Sequence, residues 1–124
     1  MTGEKKLLII DDDTRNIFAL TAVLRSRGYT CLSAGGMKDA FIILEKETGI
    51  GIILLDMMMP DMDGYEALPI IKRDDRYAAV PVIAVTAQAM VGDRERCLQA
   101  GADGYVSKPV NIDELIPLLE EHLK

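Results

Sequence analysis

The sequence predicts an α/β domain with a five-stranded parallel sheet covered by helices on both faces. Short runs of branched apolar residues recur along the chain, most clearly at residues 7–10, 52–55 and 81–85. Continuous apolar runs of this length are typical of strands that are buried on both faces. Segments with apolar residues at helical spacing follow these runs after short connections. Such an alternation indicates parallel strands joined by right-handed crossovers.

Five strand–helix units can be placed in order. The strands are expected at residues 7–10, 29–33, 52–56, 81–85 and 104–107. The helices are expected to begin after Asp13 or Thr14, near Met37, after Gly64, at residue 91 and after Asn111. The fourth helix is expected to be short, polar and exposed, over residues 91–100. Five units in a chain of this length fit the flavodoxin-like strand order 2-1-3-4-5. We therefore expect a single domain over residues 1–124, with a core from about residue 6 to 123.

Three local patterns refine these helices. The first helix should bury Ile17, Leu20, Val23 and Leu24, which recur at helical spacing. Pro69 lies inside the third predicted helix and predicts a kink or a late start, because proline removes one backbone hydrogen bond. At the last helix, Asn111 with Glu114 three residues later is a capping-box pattern.

The composition excludes several classes of function. Twenty acids against fourteen lysines and arginines give a net charge of −6, which argues against a nucleic-acid surface because phosphate contacts need clustered positive charge. No apolar run approaches the ~18 residues of a membrane helix, and the N-terminus lacks a signal-peptide core. The two cysteines, Cys31 and Cys97, are expected to be buried free thiols. We expect a soluble, cytoplasmic protein with no nucleic-acid or membrane partner.

Polar side chains stand at the ends of the predicted strands. Asp11 and Asp12 follow the first strand, and Asp56 ends the third. Thr86 and Lys108 follow the fourth and fifth strands. In the order 2-1-3-4-5 the first and third strands are neighbours at the switch point, where open α/β sheets bind ligands. Three carboxylates in one crevice cannot all stay ionised without a cation, and oxygen ligands select a hard ion such as Mg²⁺ or Mn²⁺.

A carboxylate, Mg²⁺, a hydroxyl and an ammonium group together favour phosphoryl transfer to an aspartate, with Asp56 as nucleophile. Each residue alone has a simpler interpretation: residues 11–13 as helix caps, Thr86 as a strand end and Lys108 as a solvated side chain. Because all five candidate residues follow or end a predicted strand, we favour one shared phosphoryl-transfer site over these separate interpretations.

Other candidate motifs are better explained by packing. Methionines flank Asp56 and could suggest a soft-metal site, but methionine is a common core filler and hard carboxylates lie among them; they are Met57, Met58, Met59 and Met62. The single histidine, His122, has no acid or cysteine at ligand spacing. The chain also lacks a phosphate-binding glycine loop.

Four segments of the chain resemble the receiver domains of two-component response regulators, which have a CheY-like fold. They are LLIIDDD (7–13), LLDMMMPDMDG (54–64), VIAVTA (82–87) and GADGYVSKPV (101–110). They occur in the same order and at the same spacing as in that family, over about residues 6–123. The resemblance implies a signalling switch rather than a turnover enzyme.

The resemblance also implies roles for individual residues. Asp56 would accept a phosphoryl group from a phosphohistidine on a sensor histidine kinase or histidine phosphotransfer protein. Asp12 would bind Mg²⁺ directly and Asp11 largely through water, with Asp56 and the backbone carbonyl of Met58 completing the ligands. Thr86 would hydrogen-bond the acyl phosphate, and Lys108 would pair with it.

The same resemblance implies a conformational response. Tyr105 would turn inward as the Thr86 hydroxyl moves toward the phosphoryl group, and a cis peptide bond would join Lys108 to Pro109. The fourth helix, fifth strand and fifth helix would then carry the signal to a downstream protein. Because Met58 is apolar where some relatives position a hydrolytic water, we expect a phosphorylated form of moderate to long life.

Three alternatives remain open from the sequence. The chain could be the receiver module of a hybrid histidine kinase or a degenerate receiver used only for interaction. Asp13 and Asn16 resemble residues of receivers in hybrid kinases as well as of free-standing receivers. An aspartate-nucleophile phosphatase on a related fold is a third alternative. Such enzymes usually carry a second acid two residues after the nucleophile, and Met58 occupies that place.

Overall fold

A central parallel sheet organises the protein in the computed structural model, which describes residues 5–87 and 92–123. The strands are β1 Lys6–Ile10, β2 Thr30–Ala34, β3 Ile50–Asp56, β4 Val82–Thr86 and β5 Gly104–Ser107. The helices are α1 Thr14–Ser26, α2 Met37–Lys46, α3 Gly64–Arg73, α4 Asp93–Gln99 and α5 Ile112–His122. The strands lie in the order β2-β1-β3-β4-β5, and every pair is parallel. The predicted fold class and strand order are confirmed.

Helices cover the sheet on both faces because successive strand residues point in opposite directions. In β1, Leu8 and Ile10 pack into a core with α2, α3 and α4, whereas Leu7 and Ile9 pack into a second core with α1 and α5. All four side chains are at most 2% exposed. This two-sided burial explains why the strands are continuous apolar runs in the sequence.

The buried face of α1 is narrower than the sequence predicts. Leu20 and Leu24 are buried and Ile17 packs against their core, as expected. Val23, however, is 37% exposed, because the stripe that meets the sheet runs through positions 20 and 24.

The capping-box prediction for the last helix was wrong. The capping box belongs to α3, where Asp63 accepts from the Glu66 amide and the Glu66 side chain accepts from the Asp63 amide. At α5 the Asn111 side chain is an N-cap, but it accepts from the amide of Asp113, the second helical residue. The capping box also explains why α3 begins at Gly64, with Pro69 inside it, rather than late.

The start of α3 packs directly on the residue after Asp56. The Gly64 amide lies 3.3 Å from the Met57 carbonyl oxygen. A Cβ atom at Gly64 would lie 2.7 Å from Met57 Cα and would also collide with the Met57 sulfur. The absence of a side chain at position 64 therefore lets α3 approach the end of β3.

The fourth helix is shorter than residues 91–100, the range that the sequence predicts. It runs over Asp93–Gln99 after Gly92, whose φ of 88° is left-handed, and Val91 lies outside the described residues. Both Cys31 and Cys97 are buried free thiols, as predicted. Across the described ranges, no helix has the length and apolar character needed to cross a membrane.

The close approach at Gly64 predicts a loss of stability in Gly64→Ala. Overpacking against Met57 should outweigh the helix propensity that alanine adds, for a net loss of about 1–2 kcal/mol. Gly35→Ala is the control, since its Cβ would meet nothing within 4 Å and should change stability by less than about 0.5 kcal/mol. Urea unfolding followed by circular dichroism measures both, and equal stability of the two variants would contradict the packing argument.

Candidate functional site

The carboxyl ends of β1 and β3 bring three acids together. The β1–β3 ladder pairs Ile10 with Leu55, so the next residues of the two strands, Asp11 and Asp56, are neighbours. One carboxylate oxygen from each of Asp11, Asp12 and Asp56 lies within 4.8 Å of the others. The convergence expected from the strand order is therefore present in the structure.

Asp56 is the most enclosed acid of the group, at 2% exposure. Its Oδ1 accepts a hydrogen bond from the Met58 amide at 3.0 Å. Burial raises the pKa of Asp56, and the nearby charge of Asp11 raises it further, while the Met58 amide and Lys108 act in the opposite direction. The net result is a pKa above the ordinary value for an aspartate. The ionised form of this carboxylate is therefore disfavoured unless further positive charge lies nearby.

Lys108 supplies positive charge to two of the three acids. Its Nζ lies 3.1 Å from Asp56 Oδ2 and 3.3 Å from Asp11 Oδ2. Burial alone would lower the pKa of Lys108, but its hydrogen bonds and charge interactions with Asp56 and Asp11 outweigh burial and raise it. The Lys108 amide also donates to the Thr86 carbonyl oxygen at 2.8 Å. The peptide bond from Lys108 to Pro109 is cis, as the resemblance implies.

The loop after β1 holds Asp11 in place from both sides. Asp11 Oδ1 accepts from the Asp13 amide at 2.8 Å, and Asp11 Oδ2 accepts from Asn16 Nδ2 at 2.6 Å. Asp13 in turn caps α1 by accepting from the amides of Arg15 and Asn16. The Asn16 contact is a feature that the sequence analysis did not assign to the site. The sequence did contain a signal for this contact, because Asn16 lies in the first turn of the helix that directly follows the acids.

The ligand atoms at this edge suit a hard divalent cation. The grouped donors are carboxylate oxygens, and Asp12 is exposed to solvent while Asp11 and Asp56 are buried. Mg²⁺ prefers such oxygens and keeps several water molecules, which a half-open site permits. The neighbouring methionine side chains fit packing better than a soft-metal site: those of Met57 and Met59 are buried in the core, and Met58 is 46% exposed.

Thr86 and Tyr105 lie on the two strands beyond Asp56. Thr86 is fully buried at the end of β4. Tyr105 lies opposite Ala84 in the β4–β5 ladder, and the ladder then pairs Thr86 with Ser107. The Tyr105 hydroxyl donates to Asp93 Oδ2 at 3.3 Å. The two residues predicted to form a switch are therefore on adjacent strands, one pleat repeat apart.

Asp93 was missed by the sequence analysis, which treated α4 as a polar, exposed helix. The exposed residues of α4 include Arg94, Glu95 and Arg96, but Asp93 and Cys97 are buried. The available signal was their spacing of four residues, which places them on one face of the helix.

Comparisons with known proteins match receiver domains of response regulators over nearly the whole chain. The response regulator receiver domain family matches residues 7–120. The polar-differentiation response regulator DivK of Brucella anthropi is 33% identical over 119 residues, covering 96% of this chain and 96% of DivK.

Two solved structures extend the comparison to the fold. The receiver domain of a sensor histidine kinase from Pseudomonas aeruginosa has a TM-score of 0.86 and 35% identity over 98% of each chain, and it carries a magnesium ion in its active-site cleft. The chemotaxis protein CheY4 of Vibrio cholerae has a TM-score of 0.88 over 98% of this chain and 100% of its own, at 24% identity, which supports the CheY-like fold. The chain belongs to the receiver-domain family of two-component response regulators.

Proposed function

We propose that this chain is a phosphoacceptor switch in which Asp56 takes a phosphoryl group from a phosphohistidine donor. The observation that carries the proposal is the contact of one ammonium group, Lys108 Nζ, with both Asp56 and Asp11 at 3.1 and 3.3 Å. This is the arrangement needed at an acid that must remain ionised and then bear a dianionic group. In the transfer, an Asp56 oxygen forms a bond to phosphorus while the bond from phosphorus to the donor's histidine nitrogen breaks. The electron pair of the broken bond stays on that nitrogen.

The residues around Asp56 would divide the work of holding charge. Lys108 and the Met58 amide stabilise the ionised carboxylate, which burial and Asp11 disfavour. After transfer, Lys108 would pair with the phosphoryl group and the Thr86 hydroxyl would hydrogen-bond it. Thr86 suits this role because it ends β4, the strand between those of Asp56 and Lys108.

A divalent cation, Mg²⁺ or Mn²⁺, would be held by Asp12, Asp56 and the backbone carbonyl of Met58, with Asp11 acting largely through water. The indirect role for Asp11 is supported by its two oxygens, which already accept from Asp13, Asn16 and Lys108. When bound, the cation neutralises negative charge on the carboxylates and on the phosphoryl oxygens. The magnesium ion in the Pseudomonas aeruginosa receiver supports this choice of metal.

The donor would be a sensor histidine kinase or a histidine phosphotransfer protein in the cytoplasm, where ATP is available to make phosphohistidine. The switch would involve Thr86 and Tyr105 and would alter the surface of α4, β5 and α5 for a downstream protein. The phosphoryl group remains on the chain until hydrolysis or onward transfer, so the protein would act as a signal carrier rather than a turnover enzyme. Steady hydrolysis of a phosphomonoester would instead favour the phosphatase alternative.

Phosphorylation of Asp56 can be tested with a small-molecule donor. Incubation with acetyl phosphate and Mg²⁺ should add one phosphate to the wild type, because Asp56 has charge partners in place, and none to Asp56→Asn. Intact-mass spectrometry measures the adduct, and omission of Mg²⁺ should abolish it. The absence of an adduct in the wild type would favour the interaction-only alternative, and an adduct on the variant would mean that another residue is the acceptor.

Removal of the Lys108 charge should slow phosphorylation without unfolding the protein. In Lys108→Met the rate of adduct formation should fall by about 100- to 1,000-fold, the usual effect of losing one preorganised donor to developing charge. Lys72→Met is a matched control, since the Lys72 side chain is 21% exposed against 22% for Lys108 and also forms an ion pair, with Asp103. A time course by intact mass compares them, and an equal rate in the two variants would contradict the role of Lys108.

The exposed Met58 side chain predicts a slowly hydrolysed phosphate. A polar residue in its place could hold a water molecule near the phosphoryl group, so Met58→Asn should shorten the half-life several-fold. Ile70→Asn is the control, because Ile70 is similarly exposed, at 43% against 46%, on α3. Decay of the adduct after removal of acetyl phosphate gives both values. A wild-type half-life near seconds would contradict the prediction.

A further inference from the structure

Asp93 is a buried carboxylate that lies outside the acidic cluster. It is the first residue of α4 and is 6% exposed. Its Oδ1 accepts from the Tyr65 hydroxyl at 2.9 Å, and its Oδ2 accepts from the Tyr105 hydroxyl at 3.3 Å. One carboxylate therefore ties α4 to α3 through Tyr65 and to β5 through Tyr105.

The energetics of this group depend on the two hydroxyls. A buried carboxylate is costly unless donors replace its lost water, and hydrogen bonds to a charged group are stronger than neutral ones. Burial and the charge of Asp93 raise the pKa of both Tyr65 and Tyr105, so both phenols keep the proton that they donate. Loss of one donor leaves Asp93 with the other, whereas loss of both would leave a buried charge without either hydroxyl.

The two tyrosines are not equivalent. Tyr65 makes the shorter bond. The Arg96 guanidinium lies 3.9 Å from the centroid of the Tyr65 ring, and Cys97 Sγ lies 3.6 Å from the Tyr65 hydroxyl. Tyr105 makes the longer bond and lies on β5, one pleat repeat from the position that pairs with Thr86. Tyr65 thus makes the shorter bond to Asp93 from α3, whereas Tyr105 lies on the strand that leads to Lys108.

We propose that Asp93 is a positioning residue that holds Tyr105 in its present orientation, and that Tyr65 keeps Asp93 satisfied when Tyr105 turns away. The inference rests on the proposed function. The hydrogen bond from Tyr105 to Asp93 would oppose the movement of Tyr105 that phosphorylation of Asp56 favours. The hydroxyls of Tyr65 and Tyr105 should therefore have opposite effects on how firmly Tyr105 is held. Removing the Tyr105 hydroxyl releases the restraint, whereas removing the Tyr65 hydroxyl makes Asp93 depend on Tyr105 and strengthens it.

The test is the affinity for beryllium trifluoride, a phosphoryl mimic, in the presence of Mg²⁺. By linkage, a ligand that favours the turned Tyr105 binds more tightly when the restraint is weaker. From the net strength of a typical hydrogen bond, the apparent Kd should fall by about 3- to 10-fold in Tyr105→Phe and rise by about 3- to 10-fold in Tyr65→Phe. NMR titration of backbone amide signals measures these values.

The double variant provides the sharpest comparison. Once Tyr105 lacks its hydroxyl, Tyr65→Phe should have no further effect, so the two changes should be strongly non-additive. Tyr29→Phe is the control, because Tyr29 packs against the core on the opposite face of the sheet, and its Kd should match the wild type. Shifts of the same sign in the two single variants, or additive shifts, would overturn the inference. Failure of the wild type to bind the mimic would overturn the proposed function itself.

Discussion

The contact on which the site depends is that of the Lys108 ammonium with Asp56 and Asp11. Both residues are buried, at 2% and 3% exposure. Their nearest carboxylate oxygens lie within 4.8 Å of each other, and like charges this close repel unless a cation lies nearby. Lys108 directly follows β5, which lies two places from β3, a separation of roughly 10 Å at the usual spacing of strands. A long, flexible cationic side chain is needed to cover that distance over Thr86, which ends the intervening strand.

The same topology connects the acids to a surface on the far side of β4. The site uses the carboxyl ends of β1, β3, β4 and β5, while Tyr105 and Asp93 lie on the face of the sheet that carries α4. Charge added at Asp56 would act first on Lys108 and Thr86. Because β5 contains Tyr105 and leads directly into Lys108, a change at the site has a short covalent and hydrogen-bonded route to α4.

Much of this arrangement could be predicted from the sequence, for a physical reason. Strands buried on both faces leave apolar runs, and the polar residue that ends each run lies at one edge of the sheet, which locates Asp11, Asp56 and Thr86. Features that depend on how helices pack could not be predicted in this way. Asp93 looked like a solvated residue in a polar helix, and its burial depends on tyrosines 28 and 12 residues away.

The chemical location of the phosphoryl group distinguishes Asp56 from the neighbouring acids Asp11 and Asp12. Sodium borohydride reduces an aspartyl phosphate to homoserine, so peptide mass spectrometry after phosphorylation and reduction identifies the acceptor. Homoserine is expected at position 56, because Asp56 is the acid that Lys108 and the Met58 amide both contact. Homoserine at position 11 or 12, or no conversion of a chain that carries phosphate, would contradict this expectation.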